Sequence, residues 1–165
     1  MSLKNTTLEK DELKIVIEKY TDMLFRTCYM ILKNYHDAED VVQETFLQYI
    51  RKSPYFENES KEKSWLMTVA INKCKNIKRY KFYHPEVDIF ELTNLVADKN
   101  SQSIVEELSL LASKYRIVMI LYYIEGYSVK DIANMLKISN SAVKKRLEFG
   151  RKNLKIICEA ENYDS

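Results

Sequence analysis

The sequence predicts an all-α protein built from two small helical domains, joined by an acidic linker, with the C-terminal one a helix-turn-helix. Three observations carry this expectation. Apolar residues recur at three- and four-residue steps along most of the chain. No stretch alternates apolar and polar residues long enough for a sheet, and two Gly and two Pro among 165 residues leave little punctuation for hairpins. Residues 126–155, GYSVKDIANMLKISNSAVKKRLEFGRKNLK, read as two helices around a tight turn.

The first helix spans roughly residues 9–33, where Leu13, Val16, Ile17, Tyr20, Leu24, Cys28 and Ile31 share a face. A second runs from about Asp37 to Lys52, with Ala38, Val41, Val42, Phe46, Tyr49 and Ile50 inward and Asp40, Gln43, Glu44 and Gln48 outward; Pro54 stops it. The stretch 55–63 is polar and irregular. Ser64 is the expected cap of a third helix whose face, Leu66, Val69, Ala70, Cys74 and Ile77, continues to about Tyr80. Around Pro85 the periodicity fades, so the expected organisation is a first domain over 1–84, a connector over 85–103, a second domain over 104–158 and a tail over 159–165. Phe90, Leu92, Leu95 and Val96 offer the connector a weak apolar contact.

A fourth helix starts with Ile104, Val105, Leu108 and Leu111, and a strongly apolar fifth covers 115–124. Gly126 suits the left-handed residue that ends it, and Ser128 with Asp131 forms a capping pair, so a helix begins at Val129 and turns Val129, Ile132, Ala133 and Leu136 to one side. The last helix, capped by Ser139 or Asn140, places Val143, Leu147 and Leu154 inward.

Charge is balanced overall, with a formal net of +2, yet sharply distributed. Asp37, Glu39, Asp40 and Glu44 fall in a base-free stretch; Lys73, Lys75, Lys78, Arg79 and Lys81 fall in an acid-free one; Glu86, Asp88, Glu91 and Asp98 follow. The last helix carries Lys144, Lys145, Arg146, Arg151, Lys152 and Lys155 against the single acid Glu148. An ordinary solvated face mixes signs, so this one favours phosphate. Cys28, Cys74 and Cys158 have no metal-ligand or disulfide spacing and read as small apolar residues in a reducing compartment. No cofactor or metal is expected. His36 and His84 lie far apart, no glycine-rich phosphate loop or nucleophile motif is present, and an enzyme is not expected. Nor is a membrane span or signal peptide: a soluble, cytoplasmic protein is.

Two separate segments carry a family resemblance. DAEDVVQETF at 37–46, followed by Trp65-Leu66 and Val69-Ala70-Ile71-Asn72, resembles region 2 of bacterial sigma factors; GYSVKDIANMLKIS with AVKKRL at 142–147 resembles their region 4. Order and spacing are similar to the extracytoplasmic-function group of the sigma-70 family. The resemblance implies a specificity subunit that binds core RNA polymerase, through the coiled coil of the largest subunit and the flap, and directs initiation at promoter DNA. It also implies an anti-sigma partner, commonly a membrane protein that holds the factor until a signal.

Residue by residue, it implies that Asp40, Gln43 and Glu44 meet the polymerase. Phe56, Asn58 and Ser60 in the 56–64 loop, with Asn72, Lys73, Lys78, Arg79 and Lys81, would recognise and melt the −10 element, aromatic stacking being worth about 1–3 kcal/mol per base. Trp65 is assigned to the core instead. Ser139, Asn140, Ser141, Lys144, Lys145, Arg146, Glu148, Arg151 and Lys152 would engage the −35 element. The sequence departs from the family pattern at Glu62, usually aromatic, Asn76, usually Asp, Ala142, usually Thr, Lys145, usually Ser, and Phe149, usually basic. Glu57, Glu59 and Glu62 thus put negative charge next to the DNA-opening loop. The alternatives are a dimeric helix-turn-helix regulator, for which the N-terminal half offers no phosphoacceptor pattern or heptads, and a sigma-like decoy for an anti-sigma protein, against which the full basic helix argues.

Overall fold

The computed structural model describes the backbone of residues 10–52, 54–83 and 106–163, with side chains to residue 81 in the first part and to residue 155 in the second. All regular structure among the described residues is helical. The chain divides into two compact units, Met1–Glu86 and Val87–Ser165. The acidic connector, with Phe90, Leu92, Leu95 and Val96, lies outside the described residues, as do Ile104 and Val105 and the side chain of Cys158.

In the first unit, α1 (Lys10–Leu32), α2 (Tyr35–Lys52) and α3 (Glu59–Tyr83) pack each against the other two. The α1–α2 link is two residues long. Lys33 takes a left-handed conformation (φ 55°) and donates its N–H to the Tyr29 carbonyl at 2.7 Å, closing α1. Buried Asn34 then caps α2, its Oδ1 accepting from the Asp37 N–H at 2.8 Å. The core comprises Tyr20, Leu24, Cys28 and Ile31 from α1, Ala38, Val41, Val42, Phe46 and Tyr49 from α2, and Leu66, Met67, Ala70, Ile71 and Cys74 from α3.

Three expectations are corrected here. Ile50 is 42% exposed rather than inward: the buried stripe of α2 is centred on Ala38, Thr45 and Tyr49, and successive helical residues lie about 100° apart, so Ile50 swings out. Thr45 tolerates burial because its hydroxyl donates to the Val41 carbonyl at 2.7 Å. The third helix begins at Glu59, not after Ser64. Asn58 caps it, Oδ1 accepting from the Lys61 N–H at 3.0 Å, while the Ser64 carbonyl accepts from Thr68 Oγ1 inside the helix. Met67 and Ile71, rather than half-buried Val69 and Ile77, complete the buried face of α3, which must meet two helices at once.

The first described residues of the second unit, 106–110, have helical backbone, and their Leu108 is buried together with Leu111. Buried Arg116 ties this turn to α4 (Ser113–Met119): its Nη1 donates to the carbonyls of Ser109 (3.0 Å) and Leu111 (3.2 Å), and burial holds its pKa below the ordinary arginine value. The helix then widens into a π turn over Ile120–Ile124, with the Glu125 N–H reaching the Ile120 carbonyl at 3.0 Å. Ile120 and Leu121 stay buried, whereas Tyr122, Tyr123 and Ile124 are exposed, so the apolar run expected over 115–124 is inward only in its first part.

Candidate nucleic-acid interface

Gly126, at φ 75°, turns the chain out of the π segment. Ser128 Oγ accepts from the Asp131 N–H at 3.1 Å and donates to its carboxylate at 2.7 Å, starting α5 (Val129–Leu136). Lys137 ends α5 in the left-handed conformation (φ 56°), and Ser139, rather than Asn140, caps α6 (Asn140–Tyr163), its Oγ accepting from the Ala142 N–H at 3.1 Å. Ile132, Ala133, Met135 and Leu136 of α5 are buried, as are Val143 and Leu147 of α6; Val129 and Leu154 are half-buried. Gly150 lets α4 and α6 approach, since a Cβ there would lie 2.8 Å from Met119 Cγ.

This packing fixes which α6 side chains face out. Ser141, Lys145, Glu148 and Lys152 form the ridge opposite the buried stripe, all exposed. Lys144 and Arg151 stand on one flank, where Arg151 Nη1 donates to Tyr123 Oη at 3.1 Å. Half-buried Arg146 stands on the other, beside Phe149. Ser139 and Asn140 are exposed at the helix start. A cationic ridge with one acid, on a helix whose other side is locked into a core, can lie in a groove of a nucleic acid and meet its phosphates.

In the first unit, Asp40, Gln43 and Glu44 are exposed on α2. Glu44 is not a lone acid: its Oε1 lies 3.6 Å from Arg51 Nη1 and 3.9 Å from Lys73 Nζ. Asp37 and Lys81 form a tighter pair at 2.6 Å. The acid-free run 66–85 is therefore acid-free only along the sequence. Folding sets Lys73 and Lys81 against acids of α2, while Lys78 is half-buried and Arg79 exposed. Asn72 is half-buried on the same helix.

The segment between α2 and α3 is shorter than expected and differently built. Phe56 is half-buried, stacked 6.2 Å from Tyr49 and edge-on to Trp65 at 5.9 Å; Trp65 in turn meets Tyr49 edge-on at 5.9 Å. Phe56 is thus part of an aromatic cluster. Asn58 spends its Oδ1 on the α3 cap, and Ser60 is exposed on the first helical turn. Glu62, expected to add negative charge near the loop, points inward: Oε2 accepts from Tyr20 Oη (3.1 Å) and Oε1 from Tyr49 Oη (2.7 Å). Burial, and then the hydrogen bond to this carboxylate, raise both tyrosine pKa values. Nothing local in the sequence announces this bridge. Cys28 and Cys74 are buried and free, and a hydrogen bond to Cys28, with burial, raises the Cys74 pKa.

Among the described residues no group of three His, Cys, Asp or Glu side chains could hold a metal ion, and no helix is long and apolar enough to cross a membrane.

Residues 16–81 match the family model for sigma-70 region 2, and residues 101–154 that for sigma-70 region 4. Among curated proteins, the chain is 28% identical to the ECF RNA polymerase sigma factor SigW of Bacillus subtilis, covering 89% of each chain, and 26% identical to SigX of the same organism, covering 88% of this chain and 83% of SigX. Among solved structures, the fold is similar to that of the sigma factor RpoE bound to the anti-sigma factor NepR from Bartonella quintana (TM-score 0.72, 22% identity, 90% of this chain and 98% of that one). It is also similar to CnrH bound to the cytosolic domain of CnrY (TM-score 0.68, 21% identity, 93% and 91%).

Proposed function

Because this chain belongs to the sigma-70 family, as an extracytoplasmic-function sigma factor that binds RNA polymerase and directs promoter-specific initiation, we propose the following division of labour among its residues. Asp40, Gln43 and Glu44 of α2 dock on the coiled coil of the largest polymerase subunit, their carboxylates and amide suiting a basic helical partner; the second unit meets the flap. Ser139, Asn140, Ser141, Lys144, Lys145, Arg146, Glu148, Arg151 and Lys152 grip and read the −35 element. Phe56, Asn58, Ser60, Asn72, Lys73, Lys78, Arg79 and Lys81 act at the −10 element. There, contacts made only in the opened state offset the few kcal/mol that extruding a base costs. Lys73 and Lys81 would exchange carboxylate partners for phosphate on binding, while Lys78 and Arg79 lie between them on α3.

The protein works by binding and positioning and contributes no catalytic group. An anti-sigma protein is its proposed regulator in the cytoplasm, since one is bound to the similarly folded sigma factor RpoE. The observation that supports the −35 assignment most is the ridge Ser141, Lys145, Glu148 and Lys152 on a helix capped by Ser139 and anchored by Val143 and Leu147. Reconstitution with core polymerase and a library of promoter fragments tests the whole reading at once: selective initiation from a subset of fragments is expected, and equal initiation with and without the protein would refute it.

A further inference from the structure

We propose that a cavity on the Arg146 flank of α6 is a phosphate-binding subsite for the DNA backbone, extending the grip of the helix-turn-helix to the start of α4, with Lys114 as its outer cation. The proposal rests on the reading of α6 as the DNA-binding helix. The cavity, about 310 Å³ and open to solvent, is lined by Lys114, Tyr115, Ala142, Lys145, Arg146 and Phe149. Three cations and no acid surround it. Lys114 and Tyr115 come from α4, outside the helix-turn-helix, and only folding brings them to α6.

The aromatic pair explains how Lys114 is held there. Tyr115 and Phe149 stack with ring centroids 4.1 Å apart, and Lys114 Nζ lies 4.9 Å from the Tyr115 centroid, so the ring steers the ammonium toward the cavity. Ala142 adds only a single methyl to the lining. Ala142, Lys145 and Phe149 lie on one side of α6 and open onto this one cavity, to which they give room, charge and an apolar wall.

An anion relieves the mutual repulsion of the three cations, and Phe149, 45% exposed, offers an apolar surface to a deoxyribose beside the phosphate. Lys145 belongs to both the outer ridge and the cavity, so a strand followed along the ridge reaches the cavity without a break. An acidic protein surface is the competing occupant; the continuity of the cavity with the ridge read as the DNA-binding face favours DNA.

The test uses the full chain assembled with core polymerase and a duplex promoter fragment recovered by selection from a random library, titrated with salt by fluorescence anisotropy. Each phosphate neutralised contributes about 0.9 to the slope of log affinity against log salt. Lys114→Ala is expected to reduce that slope by about one and to weaken all sequences alike, with Lys114→Arg restoring it. Lys152→Ala, on the ridge, is the reference. If Lys152→Ala lowers the slope and Lys114→Ala does not, the cavity lies off the DNA path and the proposal falls while the reading of α6 stands. If neither lowers it, that reading falls as well. Weaker retention of core polymerase by Lys114→Ala at an unchanged slope would make the cavity a protein contact, and also overturn the proposal.

Discussion

Glu62 serves two buried phenols at once, and removing it leaves Tyr20 and Tyr49 without their acceptor. Each buried polar group so orphaned costs about 1–3 kcal/mol. Glu62→Ala should therefore lower the thermal midpoint of the first unit by several degrees, and Glu62→Gln, which keeps one acceptor, by less; calorimetry of the two variants checks the order. Alkali should act on the same bridge. Both phenols are held above the usual value of about 10, so their contribution is complete below that pH and is lost as pH rises through the folded-state values. Unfolding midpoints followed from pH 8 to 12 should fall more gently in Tyr20→Phe with Tyr49→Phe than in the parent. The partners of Glu62 lie 42 and 13 positions away, and for that reason the sequence shows only a carboxylate where an aromatic is usual. Exposed sites were easier to read: Asp40 and Gln43 stand out on α2 as their spacing requires. Their joint replacement by Ala should reduce retention of core polymerase in a pull-down without changing helical content.

Helices were legible where their boundary signals are local and uncontested. Gly126, Ser128 and Asp131 lie within six residues, and α5 starts where they indicate. The start of α3 is ambiguous in the sequence because Asn58 and Ser64, six residues apart, are both competent caps, and only packing against α1 and α2 makes the longer helix the stable one. The π turn at Ile120–Ile124 leaves no mark in periodicity, since one widened turn shifts the apolar stripe instead of interrupting it. For α6 the cap matters to function: Ser139→Ala should cost about 1 kcal/mol of stability in the second unit, read by thermal melting, and weaken promoter binding in parallel. At the α4–α6 crossing, Gly150→Val would press on Met119 and should destabilise by about 1–3 kcal/mol through overpacking, read by thermal melting.

For the molecule as a whole, charge that nearly cancels in sum is sorted by folding into an acidic α2, a basic α6 and ion pairs that stitch α2 to α3. The sorting along the sequence was visible; the stitching was not, because Glu44 and Lys73 meet only in three dimensions. Two small units, each with its own core, suit a protein that touches polymerase and two separated DNA elements. The most direct measurement is permanganate footprinting of the −10 region with core polymerase, this protein and Asn72→Ala. Thymine reactivity is expected with the parent protein and not with core enzyme alone, and the variant should lose it while keeping −35 protection. Thymines equally reactive without the protein would contradict its role in initiation; full reactivity with the variant would remove Asn72 from the base-holding site.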